Sequence, residues 1–198
     1  MADMLATPAD LASLLQVPQV DTASATLALE LATSLIQAAA GQRIVQVVND
    51  VAVLDVDADD CGAWLALPEG PVTAVSSVMV GALPVSDFTV QLRRGRIYRP
   101  YGWRSATVAY WNAPSTVTVT YTHGYASGDQ RLELARSVAL SLASSAYGNP
   151  SGAVREQIDD YAVQYDAAAT GLQIAPALAD ALRRRYGRPT GSVLMVKK

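Results

Sequence analysis

The apolar periodicity of this chain changes twice, and that double switch constrains its fold more than any other feature. Up to Gly41 the apolar residues recur every three or four positions, as on a helix face. Between Gly41 and Gly128 they alternate, as on a strand, and after Gly128 the helical spacing returns. The order predicts an α+β fold: a helical bundle of segments 7–16, 21–41, 129–147 and 176–186, with an inserted antiparallel β unit at about 43–126. In domain terms, 1–42 and 127–186 make the helical core, 43–126 the β subdomain and 187–198 a flexible tail.

The helix ends are signalled locally. Thr7-Pro8-Ala9-Asp10 offers a capping hydroxyl, a proline at the first helical position and an acid at the positive end. Val17-Pro18 ends that helix, Asp21 caps the next and Gly41 closes it. On the second helix Thr26, Glu30, Ser34 and Gln37 form a narrow polar stripe beside Leu27, Leu31, Leu35 and Ala38, with Leu29 and Ile36 elsewhere. So much apolar circumference predicts burial on more than one side. Leu132, Ala135, Val138, Ala139, Leu142 and Ala146 space a third helix, and Pro176 opens a fourth with Leu178, Leu182 and Tyr186 on one face.

Within the β unit, Ile44–Val48 and Val51–Val56 read as two strands joined by Asn49-Asp50. Trp64–Leu67 and Val72–Val80 follow, split by Pro68-Glu69-Gly70-Pro71. Phe88–Leu92 and Arg96–Arg99 flank the hairpin signal Arg94-Gly95. Thr107–Trp111 precedes Thr116–Tyr121, where Val117, Val119 and Tyr121 alternate with threonines. Residues 153–170 are ambiguous between a short helix and a strand through Asp159–Tyr165. Glu156–Asp160 and Arg131–Arg136 read as solvated helix faces.

Charge is unevenly placed behind a net −3. Residues 1–60 carry Asp3, Asp10, Asp21, Glu30, Asp50, Asp55, Asp57, Asp59 and Asp60 against the single base Arg43. Residues 88–128 carry Arg93, Arg94, Arg96, Arg99 and Arg104 without an acid, and Arg183, Arg184, Arg185, Arg188, Lys197 and Lys198 crowd the C-terminus. Such polarity suits head-to-tail packing of copies or two partners at two ends. Charged residues are only 17% of the chain, against a usual ~25%. No segment reads as transmembrane, since the apolar run Thr22–Gly41 contains Glu30 and several polar residues. The N-terminus carries acids where a signal peptide would carry bases. The single Cys61 rules out an internal disulfide, and the protein reads as made and used in a cytoplasm.

Catalytic and metal chemistry find little support. His123 and Cys61 are the only residues of their kinds, too few for a zinc site of about four ligands. His123 reads as a polar residue at a strand end. The acids Asp55, Asp57, Asp59 and Asp60 begin like a calcium loop, but Gly62 falls one place late and Ala66 stands where a glutamate should. Nucleophile elbows and phosphate-binding glycine loops are absent. The segment 93–111 interleaves arginines with Tyr98, Tyr101, Trp103, Tyr110 and Trp111. That pattern fits a protein interface and, as the alternative, a DNA-binding packaging accessory protein. A small enzyme with an acidic site is a third reading.

Four segments in order carry a resemblance. They are the helix pair Thr7–Leu11 and Asp21–Gly41, the run Leu67-Pro68-Glu69-Gly70-Pro71-Val72-Thr73-Ala74-Val75-Ser76-Ser77-Val78, the strand Val117–Thr122 with His123-Gly124-Tyr125 leading to an Ala-rich helix, and Tyr147–Gly152 followed by Tyr161–Tyr165. Together they resemble the head-to-tail connector (adaptor, or head-completion) protein family of tailed bacteriophages. The C-terminal extension after Tyr186 and the long acidic run near Asp55 depart from its pattern.

The resemblance implies a structural virion protein, not an enzyme, without cofactor or metal. It implies a homo-oligomeric, twelve-fold ring docked under the portal protein in the head-tail neck. Such a ring extends the DNA channel, lets DNA pass without reading its sequence, and offers a surface to the next neck protein, a stopper or tail completion protein. No membrane is involved, and assembly takes place in the host cytoplasm. On this basis Arg183, Arg184, Arg185, Tyr186, Arg188, Val193, Leu194, Lys197 and Lys198 are expected to dock on the portal. Arg93, Arg94, Arg96, Tyr98, Arg99, Trp103 and Arg104 are expected at a subunit or neck interface, and Asp55, Asp57, Asp59 and Asp60 to face the channel.

Overall fold

The computed structural model describes residues 4–56, 62–104, 115–149, 155–158, 161–164 and 173–187. Among the described residues it is α+β, with four α-helices and antiparallel sheets, as the periodicity predicts. The chain divides into two compact units, Met1–Gln42 with Gln130–Lys198, and Arg43–Asp129.

The first unit contains α1 (Pro8–Leu15), α2 (Thr22–Ala40), α3 (Glu133–Gly148) and α4 (Pro176–Tyr186). Thr7 and Asp10 form a full capping box at α1, and Asp21 caps α2 through the Ser24 amide at 2.8 Å. Gly41 ends α2 in the left-handed conformation, with φ +76°. A 3₁₀ turn, Gln130–Leu132, precedes α3, so the α-helix begins later than the spacing suggests. Helix α2 is the hub of this unit and touches α1, α3 and α4. Its buried side is Ala25, Ala28, Leu29, Ala32, Thr33, Ile36 and Ala40.

Burial of α2 on more than one side does not hold. Leu27 and Leu31 are 58% and 45% exposed, because the side lined with alanine and Leu29 is the one its partner helices cover. By length and composition α2 could cross a membrane, a test that the core helix of a soluble protein also passes. Polar ties fix the helix ends. The Asp21 backbone amide donates to the Tyr147 hydroxyl at 3.0 Å, the Tyr186 hydroxyl donates to the Arg131 carbonyl at 2.7 Å, and the Gln42 side-chain amide donates to the Tyr186 carbonyl. The ambiguous stretch after α3 contains an antiparallel hairpin, β8 (Arg155–Ile158) with β9 (Tyr161–Gln164). Glu156 therefore lies on a strand, not on a helix face.

The second unit contains β1 (Val47–Val56), β2 (Trp64–Ala66), β3 (Val72–Val80), β4 (Leu83–Pro84), β5 (Thr89–Gln91), β6 (Arg96–Tyr98) and β7 (Ser115–His123). They form a four-stranded sheet in the order β1-β7-β3-β4 and a three-stranded sheet in the order β2-β6-β5. The two strands expected on either side of Asn49-Asp50 are one strand. Asn49 adopts φ +54°, and the β1–β7 register shifts between Val47 and Asp50. This is a β-bulge in a continuous ladder. The Asn49 amide donates to Thr122 Oγ1, and Ser76 donates to the Asn49 side chain at 2.8 Å. Thr107–Trp111 lies outside the described residues. Alternation on β7 sends Val117, Val119 and Tyr121 into a core with Val72, Val78, Ile97 and Trp103.

Candidate functional site

Where the chain enters and leaves the β unit, two short segments lie side by side. The Tyr125 amide donates to the Ile44 carbonyl and the Gln46 amide to the Tyr125 carbonyl, both at 2.9 Å. Gly124 makes this crossing possible. Its φ is +85°, and a Cβ there would lie 2.4 Å from the Val45 carbonyl oxygen.

Beside the crossing sits a cluster of charges. Arg43 follows α2, Asp50 follows the β1 bulge, Glu69 lies on the loop before β3, and His123 ends β7. Arg43 donates from Nε to Glu69 Oε2 at 2.9 Å and from Nη2 to Asp50 Oδ2. His123 Nε2 lies 3.1 Å from the same Asp50 oxygen and 3.2 Å from the same Glu69 oxygen. The imidazole is fully buried, and Nδ1 has no hydrogen-bond partner among the described residues. With two carboxylate oxygens before it, Nε2 is assigned the proton. Burial works against ionisation of Asp50, but the His123 hydrogen bond and the charges of Arg43 and His123 outweigh it, leaving its pKa below the ordinary carboxylate value. Burial likewise opposes the Arg43 charge, yet Glu69 and Asp50 raise its pKa. Tyr121, stacked at 5.0 Å from His123, is pushed up to about 12, chiefly by burial.

Asp50, Glu69 and His123 could offer three metal-ligand atoms, all within 4.8 Å of one another. The Arg43 guanidinium already lies on one oxygen of each carboxylate and neutralises the charge that a cation would seek. The arrangement fits an ion-pair clasp better than a metal site. Sequence reasoning singled out His123 but not its three partners. They are far apart in sequence, and only the pairing of β1 and β3 with β7 gathers them.

The residues expected at surfaces fall into three groups. Arg93, Arg94 and Arg104 are exposed, and Arg96 is half-buried. Tyr98 packs against Trp64 with ring centroids 4.8 Å apart and planes tilted by 49°, and Arg99 pairs with Asp87 at 3.0 Å while donating to the Gly102 carbonyl. Trp103 is only 1% exposed, its indole N–H donating to the Ala63 carbonyl, so it belongs to the core and is not available as a contact side chain. In the C-terminal group, Arg183, Arg184 and Arg185 are exposed on the last turn of α4, while Tyr186 is buried. Arg188, Val193, Leu194, Lys197 and Lys198 lie outside the described residues. Among the acids, Asp55 is exposed on β1, and Asp57, Asp59 and Asp60 lie outside the described residues.

No family model matches the sequence, and no curated protein matches it. Solved structures do. A chain of the neck of an empty gene transfer agent particle, computed with C6 symmetry, matches with a TM-score of 0.53 and 16% identity over 90% of this chain and 89% of that one. This protein shares the fold of a particle-neck chain. A chain of the native gene transfer agent virion matches with a TM-score of 0.53 and 16% identity, covering 92% of each. The neck of the native particle, computed with C12 symmetry, gives 0.50 and 19% identity over 90% of this chain and 86% of that one. At such identities the likeness is one of fold.

Proposed function

We propose that the protein is a structural component of the head-tail neck of a phage-like particle, a head-to-tail adaptor. It docks as a ring beneath the portal, prolongs the DNA channel and presents a surface to the next neck or tail protein. The observation that carries this reading is the fold match, which runs through both units and spans nine-tenths of the chain or more in neck and virion assemblies. The sequence resemblance to the connector family points the same way by an independent route.

In this reading the exposed arginines Arg183, Arg184 and Arg185, with the basic tail beyond them, seat the ring on the portal. Arg93, Arg94, Arg96, Arg99 and Arg104 contribute to a subunit or neck contact, and the acids from Asp55 to Asp60 line the channel, where like charge keeps DNA from adhering. The protein acts by assembly and carries out no reaction. Of the aromatic residues in segment 93–111, Trp103 is buried and Tyr98 packs against Trp64 within its own unit. That leaves less for base stacking and favours the interface over the DNA-binding alternative.

The test is a reconstruction of particles from cells that make this chain. Density for it between portal and tail is the expected result, and its absence there would end the proposal. Truncation after Tyr186 should weaken capture by portal rings, whereas unchanged affinity would remove the tail from the docking role. Steeply salt-dependent binding to duplex DNA would favour the packaging-accessory alternative.

A further inference from the structure

Helix α2 presents an uncovered face with an unusual composition. Ser24, Leu27, Leu31, Ser34 and Ala38 are all exposed, in steps of three, four, three and four, so they form one continuous stripe. None is charged, and the only charged side chain on the helix is Glu30, which is half-buried. A helix face that stays in water normally carries charges, and an uncharged stripe with Leu27 and Leu31 uncovered at its centre marks a contact surface. The stripe is also shaped for another helix. Leu27 and Leu31 project as knobs, and the small residues Ser24, Ser34 and Ala38 leave room for close approach.

We infer that this α2 face packs against a second copy of the same chain, as the helical part of the contact between neighbouring ring subunits. The inference rests on the proposed neck assembly. The fold is that of chains in neck reconstructions computed with C6 and C12 symmetry, and such rotational symmetry repeats each copy around one axis. A closed ring repeats one contact between two different faces of the subunit, so an apolar stripe meets another part of the next copy and stays covered all the way round. The other side of α2 is already occupied by α1, α3 and α4. Magnitude limits the stripe's share. A helix of this length is about 28 Å long and ~10 Å wide, whereas a stable contact buries about 800 Å² per partner. The stripe therefore covers about a third of what is needed and forms the apolar centre of a wider contact.

The experiment places a photo-crosslinking amino acid at Leu31, and separately at the 65% exposed Val48 as a control, in cells producing particles. The expected result is an adduct of two copies of this chain from position 31, stronger than any from position 48. A partner variant, Leu27→Glu with Leu31→Glu, should melt like the parent and be lost from assembled necks. No adduct at position 31, an adduct solely with a different protein, or recovery of the position-31 probe solely in lipid would overturn the inference, as would normal incorporation of the double variant. Failure of the neck reading is seen separately, as absence of the unmodified chain from purified necks. A two-copy adduct in that case would still support the contact.

Discussion

The helical unit and the β unit are held together by different materials. The interior of the helical unit is rich in alanine: Ala25, Ala28, Ala32 and Ala40 on α2 and Ala135, Ala139 and Ala143 on α3 are buried, along with the larger Leu11, Leu29, Ile36 and Leu182. The β unit buries Trp103, Tyr121, Ile97 and a run of valines, and adds a clasp of charges at its chain crossing. Alanine lets helices approach closely but removes little apolar area from water, at ~0.8 kcal/mol per buried methylene. The bulky β interior therefore supplies more stabilisation per residue. Within the helical unit the leucines divide: Leu11, Leu29 and Leu182 are buried, whereas Leu27 and Leu31 of α2 are exposed. The β unit exposes apolar side chains too, Val48, Val51 and Val53 on β1 among them, so the difference between the units lies in what fills their interiors.

Measurements at four places in the molecule would break or sharpen this contrast. The largest effect belongs to Trp103→Ala, which should cost about 3–5 kcal/mol and unfold the β unit first in a hydrogen-exchange experiment. Equal loss of protection in α2 and α3 would mean that the two units do not differ as described. Next comes the clasp. His123→Ala removes the imidazole shared by two carboxylates and should cost about 2 kcal/mol by denaturant unfolding. Because the folded pKa of Asp50 is depressed, its contribution is present above the unfolded value of ~3.9 and is lost as pH falls through the lower folded value. Asp50→Asn should flatten that acid limb. Stoichiometric zinc uptake that survives dialysis would show that a cation displaces Arg43.

A smaller effect is expected at the α1 cap. Burial opposes the Asp10 charge, but the Thr7 hydrogen bonds and the nearby Arg136, 2.7 Å away, keep its pKa low. Asp10→Ala should cost about 1 kcal/mol at neutral pH and progressively less as pH falls through the lowered folded pKa, seen as a lowered melting temperature. Smallest of all, Leu27→Glu should change the stability of the free protein by no more than about 0.5 kcal/mol. A large loss would place Leu27 in the fold rather than on a contact surface.

Helix ends were legible because they are written in single residues. Thr7, Pro8, Asp21 and Gly41 act through their own backbone and side-chain geometry, whatever lies around them. The burial of β7 was legible for the same reason, since alternation puts Val117, Val119 and Tyr121 on one face. Asn49-Asp50 misled because an asparagine with positive φ serves a two-residue turn and a one-residue bulge equally well, and only the partner strand reveals which. The free side of α2 was illegible for another reason. Periodicity identifies apolar residues, but on a helix apolar almost all round it cannot say which side its neighbours cover.

The order of helix and strand, the caps and the alternating β face came from local chemistry, where each residue acts within a turn or a pleat. The clasp of Arg43, Asp50, Glu69 and His123, the core position of Trp103 and the exposure of Leu27 and Leu31 were decided by tertiary structure. They depend on which distant segments meet, and strand register and helix packing set that through the summed burial of many side chains, not through any one of them.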